Sequence, residues 1–225
     1  MRRSGLIRFA KRAILVLLLA PPLAMLVLRF VPPPPTPLML VRWIEGDRPV
    51  RNWTPLDRIA PSLARLVVAG EDNGFCVQRF GVDTAALQAQ VDAKLEGDDA
   101  RGASTITMQL ARNLFLPPSR TLLRKAAELW LTPQLAILWP KRRVIEVYLN
   151  VVEFGPGIYG AQAASRAFFR KDAAHLTDDE AARLASILPA PRSWSADHPG
   201  PYVRERAALL RRRVTQLGSL LDCLD

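Results

Sequence analysis

The chain has 225 residues and a net charge of +10, room for one domain of moderate size with an appendage and for a core that needs no disulfide framework. Arg2, Arg3, Arg8, Lys11 and Arg12 supply half of that charge, leaving +5 on the rest, and a basic body suits a partner bearing phosphates: nucleic acid, anionic lipid or a pyrophosphate-linked substrate. Cys76 and Cys223 allow one bridge but lack metal-site spacing, His175 and His198 stand apart among loop-like residues, and there is no P-loop, zinc signature or serine nucleophile motif.

Residues 13–30 are almost wholly apolar, broken by Pro21-Pro22 and Arg29. About 20 apolar residues span a bilayer, so the stretch predicts one N-terminal transmembrane anchor. The basic residues before it predict a cytoplasmic tail over 1–12. A cleaved signal peptide is the rival reading, because the apolar run over 13–20 is short and small residues follow. Pro21-Pro22 predict a kink in a spanning helix. VPPPPTP at 31–37 reads as a stiff polyproline spacer that holds the following domain, 38–225, off the membrane. Residues 38–53 alternate weakly, as a strand or an interfacial segment, with Trp43 and Trp53 suited to head-group level or to a core. Leu63, Leu66 and Val67, with Pro61 near a first turn, predict a helix over 56–70.

Glu71-Asp72 follow that helix directly; an acidic pair so placed is ordinarily solvated surface. EGDDA at 96–100 reads as a polar loop. In RGASTITMQLARNLFL at 101–116, Ile106, Leu110, Ala111, Leu114 and Phe115 form one apolar helical stripe, while Thr105, Gln109, Arg112 and Asn113 form a hydrogen-bonding one. Gly102 and Ala103 are too small to obstruct a ligand, and Ser104 is the expected N-cap. Such a helix N-terminus is a seat for an anion, although an ordinary capped amphipathic helix explains the same pattern. Arg120, Arg124 and Glu128 recur at i, i+4 and i+8. They make either a surface ladder or two cations and a carboxylate lining a groove, on a helix over 120–139 that Pro133 is expected to bend or end early.

Residues 143–150 continue helically into a turn at Gly155-Pro156-Gly157, followed by a small-residue-rich helix over 160–170. Thr177 and Glu180 form a capping box for a helix over 181–188 that Pro189 and Pro191 stop. An arginine-rich helix over 202–217 comes last. Cys76 is expected to be unpaired, with Cys223 in a frayed terminus.

The run at 101–116 resembles the GxSTITxQLxKNLFL motif of glycosyltransferase family 51, the peptidoglycan glycosyltransferases that polymerise lipid II in bacterial cell-wall synthesis. The resemblance covers about 67–191 and includes Glu71-Asp72-x-x-Phe75, RKAAE at 124–128, YLNVVEFGPGIYG at 148–160 and LTDDEAARLASILPAP at 176–191. It departs from the first motif, EDxxFxxHxGxD, where Gln78 stands for the histidine and one extra residue precedes Gly81. Ala136 stands where the family often has an acid.

The resemblance implies a mostly α, lysozyme-like two-lobed glycosyltransferase domain with its smaller lobe against the membrane. It implies a single-pass inner-membrane protein with a periplasmic catalytic domain. Lipid II and the growing glycan are the implied substrates, with membrane lipids and other cell-wall synthesis proteins as partners and no nucleic acid. Glu71 matches the general base. Glu128 matches a second functional glutamate that orients cations or binds a divalent ion such as Mg2+ or Mn2+; no cofactor is bound tightly. Ser104, Arg112 and Arg120 match positions that hold the donor pyrophosphate, with Gln109, Asn113 and Arg124 as further lining. Arginine at 112, where lysine is commoner, keeps the charge with a broader fork. The length leads to the expectation of a monofunctional enzyme without a transpeptidase domain.

Joining β-1,4-linked sugars from lipid-linked units requires deprotonation of an acceptor hydroxyl, stabilisation of a pyrophosphate leaving group, and alignment for inversion. A carboxylate of raised pKa serves the first need, and cations with a helix N-terminus serve the second. A lysozyme-like hydrolase also uses two carboxylates across a groove, and a catalytically eroded cell-wall scaffold is a third reading. The anchor and the cation row favour synthesis.

Overall fold

The computed structural model describes residues 2–96, 104–119 and 121–225, without some side chains of the first and fourth helices. Most of the expected loop over 96–100, together with Gly102, Ala103 and Arg120, lies outside the described residues.

The first helix, α1 (Arg2–Leu28), runs through Pro21 and Pro22. Its C-terminal end is fastened to the body. Met25 is buried, Trp139 Nε1 donates to the Met25 carbonyl at 2.7 Å, and Arg143 donates to the carbonyls of Leu28 and Val31 at 2.8 and 2.6 Å. Carbonyls at a helix end need such outside donors. Leu15, Val16, Leu23 and Val27 remain exposed. Among the described residues no helix is long and apolar enough to cross a membrane. The proline spacer is laid on the domain, because Arg51 donates to the carbonyls of Pro33 and Pro34 at 2.8 and 3.1 Å.

Thr36 then caps α2 (Pro37–Ile44), with Pro37 in the first turn, where its missing N–H costs nothing. The weakly alternating segment thus divides into this helix and a short strand, β1 (Val50–Arg51). After it come α3 (Pro61–Glu71), α4 (Thr84–Leu95), α5 (Ile106–Phe115), α6 (Leu122–Leu138) and α7 (Lys141–Val151). The strands β2 (Glu153–Gly155) and β3 (Ile158–Tyr159) lead to α8 (Ala161–Phe169), α9 (Asp178–Ile187) and α10 (Pro201–Leu217). The sheet order is β1-β3-β2, with β1 parallel to β3 and β2 antiparallel to it. In the β2–β3 turn, Gly157 has φ +72°, and a Cβ there would lie 2.8 Å from the Arg48 carbonyl oxygen, so only glycine fits.

Two helical groups share one core. α3 packs on α9 and α10, while α5 packs on α6 and α7. Leu63, Val67, Phe75, Ile106, Leu110 and Tyr148 are fully buried where the groups meet. The expected capping box forms, with Thr177 and Glu180 exchanging bonds at the start of α9.

Two expectations are corrected. Pro133 neither ends nor shortens α6, which continues to Leu138. The buried Leu131 and Leu135 hold both sides of the proline, and Thr132 Oγ1 donates to the Glu128 carbonyl at 2.6 Å in the preceding turn; this packing outweighs the lost backbone bond. Cys76 is not free: it forms a disulfide with Cys223. The terminus is not frayed, because residues Gly218–Leu224 form a 3₁₀ helix against α3 and α7 and bury Leu221 and Leu224. The bond spans a sequence separation of 147. Cys76→Ser is expected to lower the unfolding free energy by about 2–5 kcal/mol, measured by urea unfolding beside reduced and alkylated wild type. Equal midpoints for oxidised and reduced protein would count against the bond.

Candidate active site

α3 delivers two carboxylates at its C-terminal end. Asp72 leaves the helix in an extended conformation and turns its side chain onto the start of α5. Its Oδ2 accepts from the Ile106 backbone N–H at 3.0 Å, and its Oδ1 accepts from Gln78 Nε2 at 2.8 Å. A carboxylate from a distant segment therefore caps α5. The local N-cap is Thr105, not Ser104 as expected: Thr105 Oγ1 accepts from the Met108 N–H at 3.1 Å and donates to the Gly81 carbonyl at 2.6 Å. Gln78, the departure from the first motif, supplies the side-chain donor to Asp72. Its own carbonyl accepts from Lys141 Nζ at 2.8 Å, and that ammonium lies 4.7 Å from the centre of the Phe75 ring.

Glu71 is mostly buried, with its side chain 13% exposed. Its Oε2 accepts from Gln109 Nε2 at 3.1 Å, and its Oε1 lies 3.6 Å from the Arg206 guanidinium on α10. Gln109 Oε1 in turn accepts from the hydroxyl of Tyr148 at 3.0 Å. Burial pushes the Tyr148 hydroxyl well above its ordinary pKa, so it stays a neutral donor. Burial also raises Glu71, against the lowering effects of the Gln109 bond and Arg206, and the neighbouring Asp72 charge raises it further. Asp72 is pushed up to about 6 by burial, opposed by the Ile106 N–H, Gln78 and Lys141.

The cations gather on α6. Glu128 is fully buried; its Oε1 accepts from Lys125 Nζ at 2.7 Å, and its Oε2 is paired with Arg124. Lys125 Nζ also reaches Ser104 Oγ at 3.1 Å, so Ser104 touches the cation cluster even though it does not cap α5. With both carboxylate oxygens engaged, Glu128 organises the cations. Among the described residues no group of three or more His, Cys, Asp or Glu could hold a metal ion.

Two cavities flank the Glu71–Gln109 pair. One, of about 240 Å3, is lined by Glu71, Asp72, Asp83, Ser104 and Thr105. The other, of about 430 Å3, is lined by Arg42, Gln109, Arg112, Asn113 and Arg124 among others. The Glu71–Gln109 hydrogen bond joins them, placing a raised carboxylate on one side and a row of cations on the other. The arrangement suits moving a proton off a hydroxyl in the first cavity while stabilising an anion in the second.

Of the expected residues, Glu71 and Ser104 line the first cavity and Gln109, Arg112, Asn113 and Arg124 line the second; Glu128 lines neither and is buried against Arg124 and Lys125, and Arg120 lies outside the described residues. Sequence reasoning missed Asp72 as a cap, Tyr148 and Arg206 as partners of the Gln109–Glu71 pair, and Lys125. Only Lys125 carried a local signal, at i, i+3 from Glu128.

The family model described as Transglycosylase matches residues 39–215. The chain is 51% identical to the biosynthetic peptidoglycan transglycosylase of Rhodospirillum centenum, over 83% of this chain and 80% of that protein. It is 43% identical to the protein of the same name from Caulobacter vibrioides, over 93% and 92% of the two chains. It is 44% identical to that from Pseudomonas entomophila, over 96% and 93%.

Proposed function

This chain belongs to the transglycosylase family, and we propose that its groove joins lipid II units into β-1,4-linked glycan with release of polyprenyl pyrophosphate. It is a peptidoglycan glycosyltransferase of cell-wall synthesis. The observation that carries the mechanism is the Glu71–Gln109 hydrogen bond between the acidic and cationic cavities.

In this reading the acceptor places its sugar 4-hydroxyl beside Glu71. Glu71 takes the proton as the oxygen attacks C1 of the donor sugar. The bond from C1 to the pyrophosphate oxygen breaks with inversion, and its electron pair goes to the leaving group. Arg112, Arg124 and Lys125 receive that charge, with Asn113 and Ser104 as hydrogen-bonding lining. Glu128 stabilises the cations as a set. Both its oxygens are committed to them, which weakens the hydrolase reading, in which a second carboxylate must act on the glycan.

The helical body reads as a lysozyme-like larger lobe with a smaller lobe around α2 facing the membrane. Residues 1–12 read as a cytoplasmic tail, 13–30 as an inner-membrane anchor, 31–37 as the spacer and 38–225 as a periplasmic domain. Support comes from the apolar run over 13–28 in the sequence and from exposed Leu15, Val16, Leu40, Ile44, Leu122 and Leu123. Membrane lipids and other cell-wall synthesis proteins are the proposed neighbours.

The test is purified protein in detergent with labelled lipid II, following polymer on a gel, with finished glycan as a parallel substrate. Polymer from lipid II and no attack on finished glycan are expected; glycan cleavage or no polymer would overturn the reading.

The raised carboxylates also set a pH dependence. The acid limb of kcat/KM is expected above the ordinary glutamate range of about 4.3, since activity needs ionised Glu71. Asp72→Asn removes the negative neighbour that raises Glu71, so the limb should move to lower pH; an upward or absent shift would contradict the coupling. Stability has a defined sign too. Between the ordinary 3.8 and about 6, folded Asp72 holds a proton that the unfolded chain releases. Its stabilising effect is complete below that window and is lost as pH rises through it.

A further inference from the structure

We propose that Arg42 on α2 is a further substrate-contacting residue, a third guanidinium for the anionic group held in the larger cavity. The inference rests on the reading of that cavity as the donor's pyrophosphate site. Arg42 lies in none of the motifs that carry the family resemblance.

The geometry of α2 puts it there. Met39, fully buried, fixes one side of the helix, and Arg42 follows three residues later on neighbouring surface. Leu40, Trp43 and Ile44 remain exposed. The Arg42 side chain is 30% exposed and lines the cavity of about 430 Å3 together with Arg112 and Arg124. The acid lining that cavity, Glu153, is already paired with Arg192 at 3.0 Å.

A second observation points to a ligand. Arg42 Nη1 is paired with Glu45 at 2.6 Å, but its Nε is buried without an acceptor. Arg124 Nε, in a residue lining the same cavity, is in the same condition. A buried N–H without a partner is destabilising unless something supplies an oxygen. Two guanidinium groups lining one cavity, each with such an N–H, match an anion that carries many oxygens and more than one charge, as a pyrophosphate diester does. Phospholipid head groups share the phosphate chemistry, so the test separates the two sources.

The experiment measures KM and kcat for labelled lipid II in neutral detergent, with wild type, Arg42→Gln, Arg42→Lys and Glu45→Gln. Arg42→Gln is expected to raise KM about tenfold or more, the range for loss of a charge-assisted bond, with kcat within about twofold. Arg42→Lys should fall between, keeping charge without the fork. Glu45→Gln should leave KM unchanged or lower it, because it frees the guanidinium. Inorganic pyrophosphate should compete less well against Arg42→Gln than against wild type. Raising salt should narrow the gap between the two.

Equal losses in Arg42→Gln and Glu45→Gln would make Arg42 a helix-bracing residue and overturn the proposal. So would a defect that appears only when phosphatidylglycerol is added, which assigns Arg42 to head groups. If Arg42→Gln fails to fold, the Arg42→Lys and Glu45→Gln pair decides by the same criteria. Wild type that makes no polymer overturns the enzymatic reading; wild type that polymerises beside an unaffected Arg42→Gln overturns this inference alone.

Discussion

Glu71→Gln is expected to lower polymerisation by about 10²–10⁴-fold, the usual loss when a general base is removed, while lipid II still binds. The amide keeps the shape and can still meet Gln109 at the junction of the two cavities, but it cannot take a proton. The side chain is poised for this role by its surroundings. Burial raises it, while the Gln109 bond and Arg206 act in the opposite direction. Binding should survive because Arg42, Arg112, Arg124 and Lys125 are held on α2, α5 and α6 without a hydrogen bond or ion pair to Glu71. Turnover by single-turnover kinetics, beside binding of fluorescent lipid II, separates the two. Unchanged polymerisation would remove the base assignment, and lost binding would recast Glu71 as a positioning residue.

Glu128→Gln should fail in a different way. Its side chain is 1% exposed and pairs with both Arg124 and Lys125. Removing one partner of a buried ionic group costs about 3–5 kcal/mol, because the remaining charges are left uncompensated. Lower thermal stability is therefore expected together with weaker donor binding and lower turnover. A cycle with Lys125→Gln provides the control: the double variant should be less damaged than the sum of the singles, since the lysine is then no longer stranded. Additive losses would show that Glu128 does not organise Lys125, and a stable, fully active Glu128→Gln would remove its role altogether.

What the sequence made legible follows how local each cause is. The apolar stripe of α5 and the Thr177–Glu180 box are set within a few residues, and both are found as expected. The sequence puts the N-cap of α5 one position early, at Ser104, because Ser104 and Thr105 are chemically alike. What separates them is non-local: Thr105 reaches Gly81 and Ser104 is taken by Lys125. The strands are two or three residues long and pair positions near 50 with positions near 158, so no periodicity betrays them. On backbone grounds Pro133 predicts a helix break, and the buried leucines around it decide otherwise. Within the site, the residues alone supported an amphipathic helix and a charge ladder as well as a catalytic groove. Resemblance tipped that balance, and the geometry then supplied what resemblance could not: the Tyr148–Gln109–Glu71 chain of bonds and the sharing of Glu128 between two cations.

The Cys76–Cys223 bond turns most of the domain into a covalent ring. α5, α6 and α7, with Arg112, Arg124, Lys125 and Glu128, lie inside the ring, while Glu71 sits five residues before its first cysteine, on the tail that leads back to α1. A single cut by a protease anywhere between the two cysteines would therefore release nothing. The nicked protein would run as one species without reductant and as two with it, and the base and the leaving-group cations would stay on one molecule. Tolerance of such a nick, and its loss on reduction, belong to this chain because its ring is closed by sulfur.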